Sequence, residues 1–423
     1  PAGRSAARTE AAAAKRKALH EFANWAAGQA DFFAGALDKE GIEDLLSWSS
    51  LPEDVREVLD LRLGVALAAG AKFAAANRGV SSGTRYRGAF TFHGAGTGRW
   101  TSSGLQLQNI SHAHWGDEDD GDEAMEAATL EACNRVLGGG TMTQKELGKT
   151  VRNIMVGPFL VCDFSSIEAR VLAWLAGEDW RIEFFLKGEG DIYCESASRI
   201  FGVPVVKHGE NGHLRAKGKV AELACGYAGG PGVIYRMGGK DIPATERERI
   251  VNLWRDSNPH IVQFWSECER AVLRGGALGD KIDVEVSGKD RYVWLPSGRP
   301  VVYRNVRYGT KRFEDKKTGE VSWRKGILCD PRRKSDGPQL LSASVLSNNV
   351  TQATARDLLA ETLLRLDAAR YPVVAHVHDE VIVEETAGTT PEGLRDIMRT
   401  TPQWAAGLPV DADVYRCYRY RKG

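Results

Sequence analysis

Seven cysteines in 423 residues (133, 162, 194, 225, 268, 329 and 417) include no C-x-x-C pair. Zinc ribbons and a disulfide scaffold are therefore not expected, and a reducing, cytoplasmic setting is. No apolar run reaches the ~18–20 residues of a membrane span, and no charged-then-apolar leader opens the chain. No G-x-x-x-x-G-K-[ST] loop is present. Neither charge sign dominates, with 56 basic and 56 acidic side chains. What remains is ordinary globular composition, 43% hydrophobic and 26% charged. The length allows about three domains.

Charge is balanced in sum and uneven in place. Residues 289–334 hold 14 Lys/Arg against five acids. The tail Tyr415–Lys422 has four basic residues, three tyrosines and no acid. A basic stretch with interleaved aromatics suits a nucleic-acid backbone, and equally a solvated charged face. Asp117–Glu123 carries six acids in seven positions and reads as a solvent-facing loop.

Periodicity predicts a frayed start over residues 1–18 and a long helix over Glu53–Ala76 with Pro52 at its first turn. Strands and turns are expected over 86–110, and a surface excursion over 111–145 with one helix near Glu123–Val136. A strand is predicted at Phe159–Cys162, then helices at Ser165–Leu175, 191–201 and 212–228. Residues 281–328 alternate like β hairpins, with turns at Pro296–Gly298 and Lys317–Gly319. A long helix over Leu340–Ala369 and a hairpin over Val373–Val383 complete the pattern.

Four clusters carry chemistry. Asp163, at the end of an apolar strand, is followed five residues on by Glu168. A carboxylate there suits a hard cation, or alone a helix N-cap. His378-Asp379-Glu380 interrupts two apolar strand segments as a polar tip or plain turn, and His376 and His378 share a face. Arg215, Lys219, Leu223 and Tyr227 recur every four residues, one helical stripe able to grip phosphates and stack a base, or a basic edge. Thr97-Gly98-Arg99 through Leu107-Gln108-Asn109 offers donors suited to minor-groove acceptors, or a plain polar loop.

In this order the four clusters resemble the palm and fingers of family A DNA polymerases, the DNA polymerase I type. Asp163-Phe164-Ser165-Ser166-Ile167-Glu168-Ala169-Arg170 resembles the first catalytic motif, His378-Asp379-Glu380 the second, and Arg215 to Tyr227 the nucleotide-binding helix. Thr97-Gly98-Arg99 with Leu107-Gln108-Asn109 is similar to the primer-template motif. Asn348 and Gln352 are similar to its minor-groove pair, and Asp191-Ile192-Tyr193 with Phe201-Gly202-Val203-Pro204 matches further. The wording of the fingers helix is closest to the bacteriophage branch. Departures are Leu223 for an aromatic, Ala228 for Gly, Tyr193 for His, and the insertion at 111–145.

The resemblance implies an α+β right-hand fold with an antiparallel β palm, helical fingers and helical thumb. Its division would be thumb 1–92, palm 93–178 and 341–423, and fingers 179–340. It implies template-directed addition of deoxynucleotides to a primer 3′-hydroxyl, without proofreading in this stretch. Two Mg²⁺ ions, replaceable by Mn²⁺, would be held by Asp163, Asp379 and the Phe164 carbonyl, with Glu380 beside them. Arg215, Lys219, Leu223, Tyr227, Glu168 and Tyr193 would meet the nucleotide. Arg99, Gln108, Asn109, Asn348, Gln352 and His378 would meet DNA. Implied partners are primer-template DNA and deoxynucleoside triphosphates, with a monomeric chain, replication accessory proteins and no membrane. A single-subunit RNA polymerase-like enzyme and a non-catalytic DNA-binding module are the alternatives.

Overall fold

The computed structural model describes scattered positions between 42 and 59, then residues 68–80, 85–110, 122–138, 142–188, 190–314, 321–332 and 337–421. Chain order runs from helix α1 (Ala68–Gly79) through short strands β1 (Phe90–Thr91) and β2 (Thr101–Ser102) to helices α2 (Asp122–Leu137) and α3 (Gln144–Asn153). Strand β3 (Val156–Phe164) leads into α4 (Ile167–Ala176), α5 (Asp179–Lys187), α6 (Ile192–Phe201) and α7 (Arg215–Cys225). Helices α8 (Pro231–Arg236), α9 (Ala244–Asp256) and α10 (Pro259–Arg274) follow. Next come β4 (Gly276–Leu278), β5 (Ile282–Ser287), β6 (Asp290–Trp294), β7 (Pro300–Tyr303), β8 (Arg307–Glu314), β9 (Val321–Cys329) and β10 (Gln339–Leu341). The long α11 (Ala343–Ala368), hairpin β11 (Val373–Val377) and β12 (Glu380–Glu384), α12 (Pro391–Arg399) and β13 (Ala412–Arg419) end the order. No described helix is long and apolar enough to cross a membrane.

The central sheet is antiparallel, in the order β11-β12-β3-β13. Both of its faces are covered, which is why β3 reads as a continuous apolar run instead of an alternation. Val161, Ile382, Cys417 and Tyr420 pack on one face with Leu105, Leu107, Ile110 and Val151. Leu160, Cys162, Phe164 and Val381 pack on the other with Val171 and Leu175 of α4 and Val350 of α11. Asp163 breaks the apolar run at the strand's far end.

Several expectations need correcting. The range 179–340, expected as helical fingers, is helical through Arg274, and beyond it the alternation over 281–328 is realised as two antiparallel sheets, β4-β5-β6-β7 and β10-β9-β8. The basic tail is not a wholly solvated face: residues up to Arg419 form β13, Tyr420 is fully buried, and Arg416 and Arg419 pair with Glu385 and Glu126. The long helix begins at Ala343, because Gln339–Leu341 pairs with β9 and Ser342 caps the helix by accepting from the Val345 amide. Helix α4 starts at Ile167 after Ser166, which makes no side-chain cap bond, so Asp163 is a strand residue and not a cap. Helices α3, α5, α8, α9, α10 and α12 were not expected. The start over 1–18, residues 60–67 of the long first helix and most of the acidic run lie outside the described residues.

Candidate active site

Strand register assembles the carboxylates. Asp163 in β3 stands opposite Glu380 in β12 and opposite Asp413 in β13. Residues facing each other across antiparallel strands share a face, so all three occupy one end of one sheet face. Asp379 lies in the two-residue turn of the β11–β12 hairpin, with His378 at φ +58°. The Phe164 amide donates to the Asp379 carbonyl at 3.3 Å, holding the end of β3 against that turn. His378 Nε2 lies 3.1 Å from the Gln108 carbonyl, which brings the Leu107–Asn109 turn to the same place.

Glu380 differs from its neighbours. It is fully buried, and Tyr420 donates its hydroxyl to Oε1 while Arg152 donates to Tyr420 at 3.1 Å. Burial first, then the Glu380 charge, pushes the Tyr420 hydroxyl far up, so it stays a donor. Glu380 is thus fixed in a wall behind the turn. Asp413 was missed by the sequence reading; its Oδ2 accepts from Ser165 Oγ at 2.5 Å. The signal was the alternation Asp411-Ala412-Asp413, which could be placed only once the β13 register was known.

A metal site can be tested on its donors. Asp163 and Asp379 with the Phe164 carbonyl form an all-oxygen set, whereas the Cys162 thiol lies on the opposite face and burial pushes its pKa up to about 12. Among the described residues no three His, Cys, Asp or Glu side chains form a cage for an ion. One or two carboxylates completed by substrate phosphates is the arrangement Mg²⁺ favours, so the residues fit that ion. His376 takes no part. It stacks on Phe90 at 4.6 Å and meets Trp100 edge-on, and burial, then Arg356, lowers it to about 4.

Helix α7 carries the predicted stripe, with one change. It ends at Cys225, and Tyr227 keeps its place because Gly226 stays in the helical region before Ala228 turns to φ +57°. The Tyr227 hydroxyl donates to Glu168 Oε2 at 2.9 Å, while Arg99 donates to Oε1 at 2.5 Å. Burial, followed by the Glu168 charge, raises Tyr227 well above its ordinary value. Arg99, expected against DNA, therefore also ties the Thr97–Asn109 segment to Glu168. Arg170 does not pair with Glu168: it donates to the carbonyls of Ser165 and Pro409 and lies 3.7 Å from Asp411.

Arg215 is engaged too, donating to Asp191 Oδ2 at 2.6 Å, and both it and Lys219 lie over the Tyr193 ring, at 5.3 and 5.8 Å. Among the described residues no carboxylate forms an ion pair with Lys219, which is exposed. Leu223 is 45% exposed on the same helix. The helix is anchored from behind by Glu222, which accepts from Arg181 at 2.6 and 2.8 Å and from Trp254 at 2.8 Å. Neither Arg181 nor Glu222 was singled out from the sequence.

The residues expected to meet DNA rest on further supports. Arg356 donates to the Gly98 carbonyl at 2.8 Å, and Arg299 to the Thr97 carbonyl at 2.9 Å, both also bonded to buried Asp357. Gly98 has φ +88°, a backbone conformation that glycine adopts freely and other residues only under strain. Lys72 of α1 donates to the carbonyls of Gln106 and Asn109, at 3.3 and 2.6 Å. Asn348 and Gln352 lie one turn apart on α11, both half-buried.

Residues 72–278 match the family model described as DNA polymerase family A. The DNA polymerase of Bacillus phage SP02 is 35% identical over 412 residues, 92% of this chain and 60% of that protein. DNA polymerase I of Chloroflexus aurantiacus is 25% identical over 320 residues, 72% of this chain and 26% of that protein. Thermostable DNA polymerase I of Thermus aquaticus is 24% identical over 285 residues, 63% of this chain and 28% of that protein. This chain thus spans less than two thirds of each relative. Among solved structures, the POL domain of Pol1 from M. smegmatis, in complex with DNA primer-template and dNTP, matches with a TM-score of 0.56 at 19% identity, covering 91% of this chain and 56% of that one.

Proposed function

Residues 72–278 place this chain in DNA polymerase family A, and from that premise we propose that it extends a DNA primer on a template, adding deoxynucleotides from their triphosphates. The observation that carries the reading is the register of β3 against β12, which sets Asp163 beside the Asp379–Glu380 turn. The reaction is in-line attack of a primer 3′-oxygen on the α-phosphorus, with pyrophosphate leaving. Asp163, Asp379 and the Phe164 carbonyl would hold two Mg²⁺ ions, or Mn²⁺ in their place. Bound there, such ions stabilise charge on the attacking and leaving oxygens.

The chain's own groups do the rest. Glu380 keeps the turn in place through Tyr420. Lys219 and Arg215 bind the triphosphate, with Tyr193 and Leu223 beside them. Arg99, Gln108, Asn109, Asn348, Gln352 and His378 meet the primer-template duplex, where donors reach acceptors common to every correct pair. Residues 1–92 would serve as thumb, 93–178 with 341–423 as palm, and 179–340 as fingers. The chain would work as a monomer in the cytoplasm, with replication accessory proteins as further partners.

The test is primer extension with Mg²⁺, offering deoxy- and ribonucleotides separately. Deoxynucleotide-dependent extension supports the reading. Preference for ribonucleotides would favour an RNA polymerase-like enzyme, and DNA binding without extension a non-catalytic module.

Lys219→Ala should raise the nucleotide KM by roughly 10- to 150-fold, the loss of one charge-assisted contact. DNA affinity, measured by anisotropy, should not change. A fall in DNA affinity at constant KM would make α7 a DNA-backbone edge instead.

Glu168→Ala should raise ribonucleotide use relative to deoxynucleotide use. Glu168 and Tyr227 are locked together by their hydrogen bond, and a close-fitting pair rejects an added hydroxyl through clash and an unpaired polar group. Competing incorporation of the two sugars reads the ratio. Lost activity at an unchanged ratio would remove Glu168 from sugar selection.

A further inference from the structure

The hairpin β8–β9 is the part of the basic region that the site leaves unused. Its register pairs Tyr308 with Ile327, Thr310 with Lys325 and Arg312 with Trp323. Paired residues share a face, so Tyr308, Thr310, Lys325, Arg312 and Trp323 line one side of the ribbon. That side is open to solvent: Tyr308 is 68% exposed and Trp323 64%. The described hairpin carries five cations, Arg307, Lys311, Arg312, Arg324 and Lys325, against one acid, Glu314.

The two sides of the ribbon differ in how they treat their aromatics. On the opposite side the Phe313 ring is already capped, by Lys311 at 5.3 Å and Arg324 at 4.9 Å. Among the described residues no ring or cation contact occupies Tyr308 or Trp323. They stand four strand positions apart, about 13 Å, enough to take two separate bases. Lys325 and Arg312 lie along that span, and the Arg312–Glu314 pair is an exposed one that holds Arg312 weakly. Exposed large aromatics alternating with cations on one flat face fit an unpaired nucleic-acid strand, whose bases stack and whose phosphates need neutralising.

The foot of the hairpin fixes where the strand would come from. Ile327 and Leu328 are buried and pair with Leu341 and Leu340 of β10. Leu341 is followed directly by α11, which bears Asn348 and Gln352. Every primer-template has unpaired template beyond the primer end, whereas a displaced strand exists only where duplex lies ahead. We propose that the exposed face of β8–β9 binds the unpaired 5′ template overhang, stacking bases on Tyr308 and Trp323 and pairing phosphates with Arg312 and Lys325. This rests on the polymerase reading above.

The test compares primer-templates with overhangs of about two and about ten nucleotides, by fluorescence anisotropy. Wild-type chain should bind the long overhang more tightly. Tyr308→Ala with Trp323→Ala should lose roughly 25-fold on the long overhang, at about fivefold or more per ring. Its affinity for the short overhang and its single-nucleotide extension there should stay at the wild-type level. Tyr308→Phe with Trp323→Phe should keep the preference. Arg312→Ala with Lys325→Ala should lower the salt slope on the long overhang by about 1.4. Equal loss on both substrates would overturn the proposal, making the hairpin a duplex grip or a support of the fold. No loss on either would also overturn it, leaving the face for a protein partner. So would a preference met only by the displaced strand of a fork. Failure of wild-type extension on the short overhang would instead overturn the polymerase reading, and is read separately.

Discussion

Asp163→Ala, and separately Asp379→Ala, is expected to slow primer extension by at least about a thousandfold, some 4 kcal/mol of transition-state stabilisation. The two residues come to one sheet end because β3 and the β11–β12 turn are held there by backbone bonds, including Phe164 to Asp379. Those bonds survive truncation of either side chain, so the local fold should persist. Charge that develops on phosphate oxygens during displacement would lose its counter-charge, whereas bound duplex contacts other groups. Single-turnover extension and equilibrium DNA binding should therefore separate, the first collapsing and the second staying near wild type. Turnover near normal in either variant would remove that residue from the chemistry.

Glu222→Ala should cost about 3–5 kcal/mol of stability, because it strands the Arg181 charge in the interior. Arg181 and Glu222 side chains are 2% and 7% exposed, and the bidentate pair is closed off by Trp254 and Asn258. Replacing both partners with apolar residues of similar volume should cost far less than removing one. Burial alone would raise the Glu222 carboxyl, but the Arg181 charge and its hydrogen bonds outweigh it and hold the carboxyl below its ordinary range. The folded value lies under the unfolded one, so this contribution is complete above the ordinary value and is lost as pH falls through the folded value. Urea denaturation from neutral to acidic pH should show that loss in the wild type and not in Glu222→Gln. An unchanged midpoint in Glu222→Ala would mean the pair is not what anchors α7.

Local signals in the sequence carried the strands and turns that bear the candidate site. Phe159–Cys162 is a short continuous apolar run that suits a covered strand, and His378-Asp379-Glu380 between β-branched runs suits the tip or turn of a hairpin. Helix α3 was overlooked although Thr143 and Glu146 form a capping box, a signal available at four-residue range. Leu340 and Leu341 fit a strand or a helix start equally, and only pairing with β9 decided between them. The remaining features depend on residues far apart in the chain. Glu222 meets Arg181 across 41 positions, Asp413 meets Asp163 across 250, and Arg99 meets Glu168 across 69. No periodicity encodes such pairs, so the candidate site residues could be named from the sequence and the supports that hold them could not.

The order β11-β12-β3-β13 also has a consequence for how the chain is made. Strand β3 is synthesised first and sits between two partners that come much later. From Phe164 to Val373 the ribosome adds 208 intervening residues before the first neighbour hairpin begins. At ordinary elongation rates that interval lasts about 10–40 s. Throughout it, Leu160, Val161 and Cys162, fully buried in the finished fold, lie on a strand with both edges open. An open apolar edge is a template for pairing with another chain. Folding of the sheet end that bears Asp163 therefore waits on translation, and a nascent-chain chaperone that shields residues 156–164 should raise the yield of folded protein more than one that acts after release.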